Sequence, residues 1–110
     1  MCKDNIKNCI DGLQKTLGYR FKHQEYLKQS LTHPSYYSQH PEEGDHNQRL
    51  EFLGDALLSA IIADELFHNL PKEREGTLTR NRAIIANGSY LAEMAARLGI
   101  ECCIRLSESE

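Results

Sequence analysis

Asn47-Gln48-Arg49-Leu50-Glu51-Phe52-Leu53-Gly54-Asp55-Ala56-Leu57-Leu58 sets two carboxylates four residues apart within an otherwise apolar helical pattern. Positions four apart on a helix carry Cβ atoms about 5–6 Å from each other, so Glu51 and Asp55 can converge on one cation or one polar group. The apolar neighbours imply burial, and a buried carboxylate must be paired, protonated or bound to metal to offset its desolvation.

The stretch opens a helix expected over 47–69, capped by Asp45 and ending before Pro71, a length of about 35 Å at about 1.5 Å per residue. At about 100° per residue, Leu50, Leu57 and Ile61 share one face and Leu53 and Ala60 another, while Leu58 and Ile62 flank the two acids. A helix apolar on most sides should be surrounded by other helices.

Upstream, Ile6, Ile10, Leu13 and Leu17 recur at helical spacing and Gly18 stands where a helix commonly stops. A short helix is expected over 24–31, closed by Thr32-His33-Pro34 because proline disfavours helix in the preceding residue. Residues 37–47 turn polar and predict a loop. Downstream, 74–85 predicts a helix opened at Glu75-Gly76-Thr77, and 87–98 predicts another, capped by Asn87 or Ser89 and stopped at Gly99. No strand alternation persists, although 100–106 can be briefly extended, and 107–110 reads as a polar tail. The fold class is all-α, built around a long central helix.

The 110 residues, 40% hydrophobic and 26% charged, fit one small domain with a single core over 1–110. No apolar run approaches a membrane span and the polar start is unlike a signal peptide, so a cytoplasmic location without membrane association is expected. Cys2, Cys9, Cys102 and Cys103 lack Cys-x-x-Cys spacing and read as reduced, structural thiols. A net charge of −3 argues against a general electrostatic grip on nucleic acid, but not against a nuclease whose acids surround a cation.

Magnesium takes hard oxygen ligands, commonly one or two protein carboxylates, and Glu51 with Asp55 meets that requirement. Gln48 lies one turn earlier, where its amide can orient a water or bond the preceding loop. Glu75 at a helix start also has an explanation in the helix dipole. Spacing alone leaves metal binding open against a structural salt bridge to Arg49, Arg80 or Arg82. His33 before Pro34 reads as a helix cap rather than a general base. Arg80 and Arg82 are candidate phosphate contacts or solvated, acid-paired side chains. Tyr36 and Tyr37 read as base-stacking candidates or core.

Arg49-Leu50-Glu51-Phe52-Leu53-Gly54-Asp55-Ala56-Leu57-Leu58 resembles the signature of the ribonuclease III family. Leu17-Gly18-Tyr19-Arg20-Phe21, Leu31-Thr32-His33-Pro34-Ser35-Tyr36 and Glu75-Gly76-Thr77-Leu78-Thr79-Arg80 agree in order and spacing. The resemblance, over residues 9–106, implies an all-helical endonuclease domain that homodimerises and cleaves double-stranded RNA with Mg2+, with Mn2+ as a substitute, in processing rRNA, mRNA or other structured precursors. It implies a 5′ phosphate and a short 3′ overhang as products, and Phe52 and Leu53 in the subunit contact.

By the same resemblance, Glu51 is a metal ligand, Asp55 a metal ligand and catalytic aspartate, and Glu75 a further acid of the cleavage site. Gln48 stands where the family often has glutamate, so it keeps hydrogen bonding without charge. Family domains continue into a helix whose aspartate and glutamate complete the metal site; Glu108 and Glu110 do not match them, and no double-stranded-RNA-binding domain is expected in 1–110. The domain is therefore expected to be C-terminally incomplete. The competing expectation is a non-catalytic RNA-binding or assembly module that keeps the fold.

Overall fold

The computed structural model describes residues 6–109. Among these residues six α-helices run in order: α1 (Ile6–Leu17), α2 (Gln24–Ser30), α3 (Pro34–Gln39), α4 (Gln48–Asn69), α5 (Glu75–Ile85) and α6 (Gly88–Leu98). Short 3-10 turns at Pro41–Glu43 and Glu101–Cys103 complete the order, and a single parallel bridge pairs Thr32 with Arg105. The chain divides into two compact units, one of residues 1–51 with 95–110 and one of residues 52–94.

The first unit holds a core of Ile10, Leu13, Leu27, Leu31 and Cys103, against which Ile6, Cys9, Phe21 and Ile100 pack. On α1, Ile6, Ile10 and Leu13 recur at helical spacing and so point the same way. Gly18 ends α1 at φ +68, a left-handed conformation that glycine adopts without a Cβ clash. The Tyr19 N–H then donates to the Gln14 carbonyl at 3.2 Å. Gly99, at φ +75, ends α6 in the same manner, with the Ile100 N–H on the Ala95 carbonyl at 3.0 Å.

Thr32-His33-Pro34 starts a helix as well as closing one, and part of the expected polar loop is therefore α3. His33 is extended (φ −73, ψ 150) and its Nδ1 accepts the Ser35 N–H at 3.0 Å, while Pro34 occupies the first turn, where a missing N–H costs nothing. Asp45 does not cap α4. Its Oδ1 accepts the neighbouring His46 N–H at 2.8 Å, and it is the His46 ring that accepts the Gln48 N–H, at 3.3 Å. For α6 the cap is Asn87, whose Oδ1 accepts the Ser89 N–H at 2.8 Å.

Residues 101–107 lie along α2 and α3. The Arg105 N–H donates to the Leu31 carbonyl at 2.7 Å and the Arg105 carbonyl accepts the His33 N–H at 3.0 Å. Arg105 itself is buried: Nε and Nη2 both donate to Thr32 Oγ1, at 3.1 and 2.8 Å, and Nη1 reaches Glu43 at 3.2 Å. Its guanidinium also sits 4.7 Å from the centre of the Tyr36 ring. Ser107, expected in a polar tail, is instead buried, with its N–H on Ser35 Oγ at 3.0 Å.

Tyr36 donates its hydroxyl to Glu43 Oε1 at 2.8 Å. Burial pushes the hydroxyl above its ordinary value of 10.0, and the Glu43 hydrogen bond adds to the shift. A group raised in the folded state contributes stability that is complete below its unfolded value and is lost as pH rises through the folded one. Denaturant midpoints measured between about pH 9 and 11 should therefore fall more steeply for the native chain than for Tyr36→Phe.

Candidate active site

In the 22-residue helix α4, Glu51 and Asp55 occupy successive turns. Both are exposed, which corrects the expectation of burial. The reason lies in α4 itself: Ile62 is its buried residue, while Phe52, Leu53, Leu57, Ile61 and Phe67 are exposed, Phe52 to 82%. Among the described residues the helix is not surrounded. Exposure removes the desolvation cost that burial would have imposed on the acids.

Among the described residues the salt-bridge alternative has no counterpart. Among the described residues, neither carboxylate is engaged by Arg49, Arg80 or Arg82. Two uncommitted oxygen donors on successive turns suit a hard divalent cation, which takes one or two carboxylates and completes its shell with water and phosphate oxygens. Gln48, one turn before Glu51, is exposed and leaves its amide open to solvent.

Glu75 opens α5 and accepts a long hydrogen bond from Thr79 Oγ1 at 3.4 Å. With Ala63, Leu66, Phe67, Leu78, Thr79 and Arg82 it lines a cleft of about 220 Å³ within the second unit. On α4, Ala63 lies about 12 Å along the axis from Asp55, at about 1.5 Å per residue. Glu75 lines this cleft with residues of the later turns of α4, and Asp55 is not among the lining residues. Arg82 is exposed on the cleft, and exposed Arg80 donates to Thr77 Oγ1 at 3.2 Å, so neither side chain is spent on an acid.

His33 is the cap of α3 and Tyr36 belongs to the Arg105 cluster; Tyr37 packs edge-on against His46 with ring centres 5.1 Å apart. Metal-ligand spacing in the sequence missed one feature. The thiols of Cys9, Cys102 and Cys103 lie within 4.8 Å of one another. The adjacent pair was visible, but Cys9 joins it only through tertiary packing.

A sequence model described as ribonuclease-III-like matches residues 23–110. The chain belongs to this ribonuclease-III-like family. Two solved structures of the nuclease domain of ribonuclease III from Campylobacter jejuni are similar to it over most of its length. One, described for structural flexibility in a region involved in dimer formation, is 37% identical with a TM-score of 0.82, covering 92% of this chain and 67% of its own. The other is 36% identical with a TM-score of 0.80, covering 91% of this chain and 65% of its own. The ribonuclease-III-like chain thus spans about two thirds of each of these domains and shares their all-helical fold. None of its described helices is long and apolar enough to cross a membrane.

Proposed function

We propose that this ribonuclease-III-like chain carries part of the active site of a metal-dependent endoribonuclease that cleaves double-stranded RNA. The observation that carries the reading is the exposed, uncommitted Glu51 and Asp55 pair on α4. Glu51 and Asp55 would hold Mg2+, with Mn2+ as a substitute. A bound divalent cation supplies polarisation of a phosphoryl oxygen and activation of water.

The side chains do the remaining work. Asp55 and Glu51 fix where the scissile phosphate comes to rest, and the Gln48 amide orients a water beside them. Glu75 serves the cleavage site from the start of α5. Arg80 and Arg82, exposed on α5, contact backbone phosphates, which positions a duplex without reading its sequence. The substrates are structured RNA precursors in the cytoplasm.

The functional unit in this reading is a homodimer. Phe52, Leu53, Leu57 and Ile61 are exposed apolar side chains of α4, and a two-fold arrangement lets two sites address the two strands of one duplex. A test follows from Phe52→Glu. Burying one phenylalanine is worth about 2 kcal/mol, and two-fold symmetry counts it twice, so dimer affinity should fall on the order of 10³-fold. Sedimentation velocity should show monomer, with helical content unchanged because Phe52 is 82% exposed. An unaltered dimer would remove Phe52 from the contact.

Incubation of the complete dimeric protein with duplex RNA, with and without Mg2+ or Mn2+, tests the activity. Metal-dependent endonucleolytic products are expected. Binding without cleavage under every metal condition would replace this reading with the non-catalytic module.

A further inference from the structure

Three thiols meet in the first unit. Cys9 lies on α1, and Cys102 and Cys103 form the 3-10 turn that follows α6. Their sulfur atoms are all within 4.8 Å of one another. The two segments also exchange contacts: Cys103 Sγ donates to the Cys9 carbonyl at 3.3 Å, and Cys9 Sγ approaches the Cys102 carbonyl at 3.8 Å. Packing fixes the meeting, because Cys103 is part of the core with Ile10 and Leu13 while Cys9 and Ile100 pack against it.

We propose that Cys9, Cys102 and Cys103 form a binding site for a thiophilic cation of the zinc class, separate in chemistry from the carboxylate pair. Thiolates select soft or borderline cations, whereas magnesium takes oxygen, so the two donor sets do not compete for one metal. At a zinc–sulfur distance of about 2.3 Å, tetrahedral ligand sulfurs stand about 3.8 Å apart. Thiols already within 4.8 Å need to close by at most about 1 Å.

The burial gradient supplies an entry path. Cys103 is buried, Cys9 is half-buried and Cys102 is exposed, so a cation enters past Cys102 and completes its shell with a donor from outside these three thiols. Each coordinated thiol gives its proton to solvent, which makes binding tighten as pH rises. A disulfide would use two of the sulfurs and strand the third; a cation uses all three. Binding would tie α1 to the turn after α6 and raise the thermal midpoint of the chain.

The test uses the full chain, reduced and freed of metal, titrated with Co2+ as the spectroscopic substitute for Zn2+. One Co2+ per chain is expected, with a thiolate-to-cobalt charge-transfer band that Zn2+ abolishes by displacement. Cys9→Ser and Cys102→Ser, which leave the buried Cys103 in the core, should each weaken binding by at least roughly 100-fold. Absence of the band at millimolar Co2+, or a band indifferent to Cys9→Ser and Cys102→Ser, overturns the proposal. So does a Cys9–Cys102 or Cys9–Cys103 disulfide in the isolated chain that, once reduced, binds no cobalt.

Discussion

Asp55→Asn is expected to lower metal-dependent cleavage of duplex RNA on the order of 10³-fold, about 4 kcal/mol of transition-state stabilisation. The substitution keeps the shape of the side chain and removes its charge, and an amide is a poor ligand for a cation that must also hold a phosphate. Folding should be indifferent. Asp55 is exposed and makes no ion pair among the described residues, so the change in stability should stay within about 0.5 kcal/mol. Single-turnover cleavage with thermal melts of the same preparations measures both. Glu75→Gln, at a residue that lines the α5 cleft, should cost less activity than Asp55→Asn. Full activity in Asp55→Asn would sink the assignment.

Arg105→Ala should produce the largest loss of stability. Arg105 is 7% exposed and supplies two hydrogen bonds to Thr32 Oγ1, and Thr32 is 0% exposed. Truncation deprives that oxygen of both donors, removes the cation from the Tyr36 ring and opens a cavity beneath residues 101–107. The Glu43 pair adds little, because its carboxylate side is 41% exposed. Together the lost groups amount to about 3 kcal/mol, or a drop in melting temperature on the order of 10–20 °C for a domain of this size. Arg105→Lys should recover only part of it, since an ammonium cannot present two parallel donors to one oxygen. A drop of less than about 3 °C would show that the cluster is dispensable.

Helix boundaries were legible wherever the signal was local. Gly18 and Gly99 mark helix ends because only the chain's own backbone decides a left-handed stop, and the apolar spacing of α1 is written in Ile6, Ile10 and Leu13. The start of α3 was not, since Pro34 closes one helix and opens the next, and which role dominates depends on His33 turning its ring toward Ser35. The exposure of Glu51 and Asp55 was illegible for a different reason. Apolar neighbours on a helix signal burial somewhere, but not whether the covering surface belongs to the same chain. Arg105, Thr32 and the three thiols join through contacts distant in sequence, and no periodicity carries such pairings. The roles proposed for Glu51, Asp55 and Glu75 rest on the family signature, not on spacing.

The bridge between Thr32 and Arg105 has a consequence for synthesis. Its partners are 73 residues apart, and residues 52–94, which lie between them, form a unit of their own. At about 5–20 residues per second, a ribosome makes Arg105 roughly 4–15 s after Thr32. Throughout that interval Ile10, Leu13, Leu27 and Leu31 are present without Cys103, the residue that closes their core. The first unit to begin translation is therefore the last to finish folding, and its sticky early helices depend on the second unit emerging promptly.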